Sequence, residues 1–591
     1  LCPGVLPITD MHMSRHPLAL LTALLLPLIS TDAGAVFTAP ATAKVAAGEA
    51  EPFCNSGAPP EWRKAQEVEG VWMQESRVCN PDNPNDIAAF VKGTNNISMQ
   101  TLMDTSNLAA DAVTATNDLD GDGDPDHYII KLEIMEINGH SPDFQGVVPT
   151  FDIAPGIQPS FWVFTPKNRD MSTRSFASGE ANPLLRMPSP PIRVEQGDVV
   201  WLVVENSHYF PHSIHLHGVD HPFMDHAGEG NDGVGQTSQM DIMPGQSKTY
   251  VIKPRQPGTM YYHCHVQPHT HIAMGLAGMF IIEENRPNNW PQVFNVGAGQ
   301  VRHPSVGVLE QYKQEYDLHY QSVDKELHAI PQSANDVRLV AKKMNQEYDI
   351  TDSTDDYFIV NGRSFPYTLR ESLITVSPNE RVKIRVLNGH QDPMALHIHG
   401  HKATETHYDG VMQNPQAQVT RDVYALAPAQ RLDLALDTTN DGLHSFGSGL
   451  WMFHDHTERA FTTNGQGEGG SISLVAYKDF VDENGGLKVS HTMDMKPYFT
   501  KEFWQRKIPV WQDFMDDWGS LGAPQGTMDT KPGINSATEA TAQTASSGVG
   551  SDGSGGGLLG GLILGIALYF GYQNRELLIS KIKAFLPKSN G

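Results

Sequence analysis

Thirteen of the 26 histidines in this 591-residue chain fall in four windows, 212–221, 263–271, 397–401 and 454–456. Within them the pattern His-x-His recurs four times: His215 and His217, His263 and His265, His397 and His399, His454 and His456. In an extended strand residues i and i+2 share a face, so each pair presents two imidazoles on one side. Imidazole-rich, thiolate-poor clusters suit copper, zinc, iron or nickel. Cys264 narrows that choice. Flanked by His263 and His265, it faces away from them, into its own domain. His269 and Met274 follow it closely, and His212 precedes His215 on the opposite strand face if the strand continues. Together His212, Cys264, His269 and Met274 supply two imidazoles, a thiolate and a thioether, the donor set of a blue-copper electron-transfer centre. The backbone from Cys264 to His263 or His265 would link that centre to the paired histidines, which makes these three the catalytic candidates.

The elements that carry these residues repeat. Ile192–Asn206 aligns without a gap to Ile374–Asn388 at an offset of 182, and the same offset maps His215-Leu-His217-Gly218 onto His397-Ile-His399-Gly400. Tyr262-His263-Cys264-His265 matches Phe453-His454-Asp455-His456 at an offset of 191. Both aligned segments alternate apolar residues after a turn, as half-buried strands do. With 53 Gly and 40 Pro to make turns, the pattern predicts two homologous β domains, 126–285 and 310–478.

His212-Ser-Ile-His-Leu-His-Gly218 and His263-Cys-His-Val-Gln-Pro-His-Thr-His-Ile-Ala-Met274 resemble the copper signatures of the multicopper oxidases. The resemblance covers both domains and implies an all-β fold of two cupredoxin-like Greek-key sandwiches. It further implies four coppers per chain. His212, Cys264, His269 and Met274 look like type 1 ligands, and His215 and His397 like type 2 ligands. His217, His263, His265, His399, His454 and His456 look like the ligands of the type 3 pair. Domain two departs consistently: Met394, Asp455, Ala460 and Gly465 stand where the type 1 ligands would be. This is similar to the two-domain, laccase-like oxidases with type 1 copper in the first domain only, which implies a homotrimer sharing each cluster between chains. The implied reaction couples four one-electron oxidations of a phenolic compound or metal ion to reduction of dioxygen to water. Two rivals stand beside it. A copper nitrite reductase would leave several paired histidines unexplained, and a non-catalytic blue-copper carrier would not need the pairs of domain two.

A formal charge of −26, from 42 Lys and Arg against 68 Asp and Glu, excludes a nucleic-acid binder, which needs a basic face to displace counterions. Residues 1–35 read as a secretory signal with upstream residues. An N-terminal extension, 36–125, follows, in which Cys54 and Cys79 would pair in an oxidising compartment. A C-terminal extension, 479–519, leads to a flexible linker, 520–556. An apolar run, 557–574, is expected to anchor the chain in a membrane, with the basic tail 575–591 on the cytoplasmic side and the body exported, periplasmic or otherwise extracytoplasmic. Asp118, Asp120, Asp122 and Asp126 alternate as calcium-loop ligands do, and a calcium loop and a solvated acidic turn both fit. Asp220, Asp225 and Glu458 are candidate proton relays. His208, His221, His226, His271 and His401 receive no ligand role, and Asn96-Ile-Ser98 matches a glycosylation sequon.

Overall fold

The computed structural model describes residues 61–63, 66–68, 71–73, 76–78, 99–105, 108–139, 151–168, 185–294, 300–302, 312–481, 487–488 and 496–507. The expected signal segment, the Cys54–Cys79 pair, Asn96, the linker and the anchor at 557–574 lie outside these residues. Among the described residues no helix is long and apolar enough to cross a membrane.

The first domain is a sandwich of two sheets. One runs His215–His217, Gly258–His263, Ala277–Glu283, Ile192–Glu195 across its width. The other runs Ser247–Ile252, Val199–Glu205, His127–Ile137, Val113–Thr116, with Phe161–Pro166 also on His127–Ile137. Alternation fills the space between them. Ile130, Leu132 and Ile134 from one sheet meet Ile192, Val194, Phe280 and Ile282 from the other in a single apolar cluster. The sheet begins before residue 126: Val113–Thr116 pairs with His127–Ile137, and Leu102 and Leu108 join the same core.

The second domain repeats the plan. Gln314–Val323, Arg381–Asn388, Arg431–Asp437 and Ala403–Tyr408 form the centre of one sheet, and Ile374–Val376, Ser473–Tyr477, Leu450–Asp455, Met394–Ile398 and Val423–Leu426 form the other. Even the parallel pairs correspond. His127–Ile137 runs beside Val199–Glu205 as Gln314–Val323 runs beside Arg381–Asn388.

A buried ionic network joins the two domains. Arg193, on a strand of the first, is 1% exposed and pairs with Glu283 at 3.2 Å, Glu315 at 3.4 Å and Asp317 at 2.6 Å. Arg385 of the second domain pairs with Asp433 at 2.9 Å and donates to the Thr259 hydroxyl at 2.9 Å. Backbone contact is equally close. Gly258 adopts φ +152°, and a Cβ there would lie 2.1 Å from the Gly410 carbonyl oxygen across the boundary.

Removing one member of such a network strands buried charge, at a penalty of about 3–5 kcal/mol. Arg193→Leu is therefore expected to lower the denaturant midpoint by an amount of that order. An unchanged midpoint would mean that the network contributes nothing to holding the domains together.

Candidate metal centres

Strand register brings the paired histidines together. His215 sits opposite His263 in the antiparallel pair His215–His217 with Gly258–His263, and His397 sits opposite His454 in the second domain. Leu216 and Cys264 point into the first core, at 5% and 0% exposure, so the intervening imidazoles turn outward. Leu396 and Ile398 do the same in domain two.

The result is two groups of imidazoles. His215, His217 and His263 offer nitrogens all within 4.8 Å of one another, and so do His397, His399 and His454. His265 and His456 adjoin them, with ring centroids 5.3 Å from His215 and 5.6 Å from His397. Among the described residues no ring contact connects the two groups. Orientation is set by the backbone: Nδ1 of His215 and His397 meets the carbonyls of Asp232 and Asp422 at 2.7 and 3.0 Å. Nδ1 of His263 and His454 meets the carbonyls of Cys264 and Asp455 at 2.8 and 3.1 Å. The Nε2 atoms of His263 and His454 are thereby turned toward neighbouring imidazoles, 2.9 Å from His217 Nε2 and 3.3 Å from His399 Nε2. Burial lowers the pKa of His217 to about 4, of His263 to about 3 and of His454 to about 4, with neighbouring imidazoles adding to it. Neutral rings keep their lone pairs, as metal ligands must.

A third group lies inside domain one. Cys264 Sγ is 3.6 Å from His212 Nδ1 and 3.4 Å from His271 Nδ1. Met274 is fully buried in the same apolar cluster. Here the expected ligand set changes by one residue. His271, not His269, faces the thiol. Both lie on the single helical turn Pro268–His271, where residues two apart point about 200° apart, so only one can turn inward. His271 is 3% exposed, whereas His269 is exposed. The Trp162 ring packs against both ligands, 6.0 Å from His212 and 5.0 Å from His271. Burial pushes the Cys264 thiol up to about 12 and holds the His271 pKa near 3. A thiol so protected stays protonated near neutrality, and a soft metal ion that binds the sulfur would displace that proton to solvent. Two neutral imidazoles, one thiol and a nearby thioether fit copper.

Domain two has no such group among the described residues. Asp455 takes the place of Cys264, and its Oδ1 accepts from the backbone N–H of Ala395 and Thr457, each at 3.0 Å. Met394 simply fills the core.

The remaining candidates settle into local roles. Asp220 pairs with Arg255 at 3.0 Å, and Asp225 lies 3.5 Å from Lys248. Glu458 is 88% exposed, 3.9 Å from His456. Asp118, Asp120 and Asp122 bring carboxylate oxygens within 4.8 Å of each other. Those oxygens accept from the loop's own N–H groups: Asp118 from Gly121, Asp122 and Gly123, Asp120 from Asp122, and Asp122 from Asp124. Asp126 is turned to the N–H groups of Leu119 and Asp120. Sequence reasoning missed Asp232, whose carboxylate receives His221 Nε2 at 3.0 Å, and Asp422, which acts through its carbonyl. Neither has a spacing signal, since both come from loops opposite the strand they serve.

Comparison with known proteins points the same way. Residues 185–287 and 339–466 each match a family profile described as multicopper oxidase. The chain is 25% identical over 279 residues to copper resistance protein A of Escherichia coli, covering 45% of this chain and 44% of that one. It is 37% identical over 98 residues to a copper-containing nitrite reductase of Neisseria meningitidis, 16% of this chain and 23% of that one. The chain thus spans less than half the length of these relatives. Among solved structures it is similar to a multicopper oxidase, mgLAC, at 23% identity and a TM-score of 0.43, covering 64% of this chain and 94% of that one.

Substitution separates the two histidines of the helical turn. In the copper-loaded chain His271→Ala is expected to abolish the intense thiolate-to-copper absorption band, and His269→Ala to leave it in place. The reverse pattern would return the ligand role to His269.

Proposed function

Both β-sandwich domains belong to the multicopper oxidase family, and from that premise we propose a laccase-like oxidase whose copper cluster closes only between chains. The chain is a copper oxidoreductase. Its reductant, a phenolic compound or metal ion, would be oxidised one electron at a time at the His212–Cys264–His271 centre, with dioxygen reduced to water at the eight paired histidines. The observation that carries this reading is the separation of two imidazole groups built in the same register, each gathering ring nitrogens from two strands.

Bound copper would supply the one-electron oxidation at the thiolate and the reduction of dioxygen at the paired histidines. The chain's own residues do the rest. Cys264 joins the buried centre to the outward imidazoles through the peptide bonds to His263 and His265. Carbonyls of Asp232, Cys264, Asp422 and Asp455 hold four rings by Nδ1. Trp162 and the apolar core keep water from the thiol.

A contact between copies is supported by the surface around the second group. His397 pairs with Val423, which is exposed, and Val419, just before it in the chain, and Val411 and Met412 are exposed on short strands of the other sheet. An exposed apolar side chain paired with a histidine of an incomplete site suits a head-to-tail contact that closes into a ring. A homotrimer, exported and anchored through 557–574, completes the proposal.

Complementation tests it. His217→Ala and His399→Ala chains should each fail to consume oxygen with a phenolic reductant. Mixed and reassembled, they should regain activity, because domain one of the second variant meets intact domain two of the first. Mixtures that stay inactive would overturn the shared cluster. Turnover with nitrite in place of oxygen would overturn the oxidase.

A further inference from the structure

Behind His212 lies a buried chain of polar groups that the proposed reaction does not use. His212 Nε2 is 2.9 Å from His208 Nδ1. His208 Nδ1 also accepts the backbone N–H of Phe210 at 3.3 Å. A nitrogen that accepts a backbone N–H carries no proton of its own. His208 must therefore be protonated on Nε2, and His212 must donate its Nε2 proton to His208. Only that arrangement leaves His212 Nδ1 bare, and Nδ1 is the atom that faces Cys264.

Beyond His208 stands Glu136. Its Oε2 is 3.5 Å from His208 Nε2, accepts the Trp162 indole N–H at 2.9 Å and receives the Tyr209 hydroxyl. His208 is 4% exposed and Glu136 9%. The repeat supplies a control within the molecule. Strand pairing sets Glu133 beside Glu205 and His319 beside Leu387, which puts Ser322 at the position of Glu136. His390 stands at the position of His208, but there it lies 3.7 Å from Asp455, and Met394 replaces the ligand. Carboxylate and copper ligand are absent together from the domain without the thiol.

We infer that His208 and Glu136 are positioning residues of the blue-copper centre: they fix the His212 tautomer that presents Nδ1 and, by drawing on its Nε2 proton, lower the reduction potential of the copper. The physical basis is the general effect of a carboxylate behind a ligating imidazole, which orients the ring and raises its basicity. A more basic ligand stabilises the oxidised metal, so loss of the carboxylate raises the potential. The inference rests on the copper centre of the preceding proposal.

Redox titration of the copper-loaded full chain, followed at its blue band, tests both separately. If the wild-type chain takes up copper without a blue band, the centre itself is wrong. If the band is present, Glu136→Gln should keep it and shift the midpoint upward. His208→Leu should shift it in the same direction, and in that background Glu136→Gln should add nothing, because the relay is already cut. An unmoved midpoint, or the same E136Q shift with and without His208, would overturn the relay, the latter leaving only a through-space charge effect. Should E136Q not fold, nitrogen-15 histidine spectra of the metal-free wild-type chain decide. His212 is expected to carry its proton on Nε2, and a proton on Nδ1 would overturn the inference.

Discussion

Everything chemical in this molecule hangs on the two-residue period of a strand locked in antiparallel register. Setting His215 opposite His263, and His397 opposite His454, crowds four imidazoles onto one face of each sheet. The same period sends Cys264 and Leu216 the other way, into an apolar core. A slip of one residue would exchange the faces. It would expose the thiol and bury imidazoles among Ile, Leu and Phe side chains, with no partner for their nitrogens. The core therefore defends the register, and the register places the ligands. Folding and site assembly are the same event here.

Burial gives the two kinds of site their different characters. The thiol and its imidazoles are dry, so neither titrates near neutrality: the sulfur is pushed up to about 12 and His271 down to about 3. Without metal the thiol there has only long contacts, 3.6 and 3.4 Å to His212 and His271, which costs stability. Metal ligation replaces those missing interactions, so binding free energy at this centre is also folding free energy. Most of the paired histidines are wetter, and His456 is 52% exposed, while His263 and His454 are buried. They do not need metal to be accommodated, and their Nδ1–carbonyl contacts hold the rings in place beforehand.

Much of this was legible because it is periodic. The four His-x-His pairs, the internal repeat and the inward Cys264 all follow from alternation along strands, and alternation can be read in a linear chain. The choice between His269 and His271 does not follow from it. Both sit after Pro268 on one helical turn, and which of them turns inward depends on packing against Trp162, about a hundred residues earlier in the chain, which His271 meets. Glu136 and His208 were hidden for a related reason. Their relation runs between the strand His127–Ile137 and the loop before His212, and nothing in either segment's spacing announces the other. The acidic run at 118–126 keeps both of its readings, since Asp118, Asp120 and Asp122 bring carboxylate oxygens together as a metal loop would. Its alternation is plain in the sequence, yet the oxygens cap the N–H groups of their own loop, a use that spacing alone cannot tell from metal ligation.

The second domain shows what a copper-binding loop needs once the copper is gone. In the first domain Cys264 follows directly on the strand Gly258–His263, and the chain then turns into the helix that brings back His271. In the second, Asp455 stands at the same place, and its Oδ1 gathers the N–H groups of Ala395 and Thr457 and the Thr457 hydroxyl, each at 3.0 Å. One carboxylate oxygen thereby ties the loop to the neighbouring strand, as a metal would tie it through sulfur. Met394 restores apolar volume where His212 would stand, and it is 2% exposed. At these two positions a local substitute keeps the strand register. Because the register survives, His454 and His456 still flank residue 455 on the outward face. Domain two therefore lacks the residues of one candidate metal centre and keeps the imidazoles of the other.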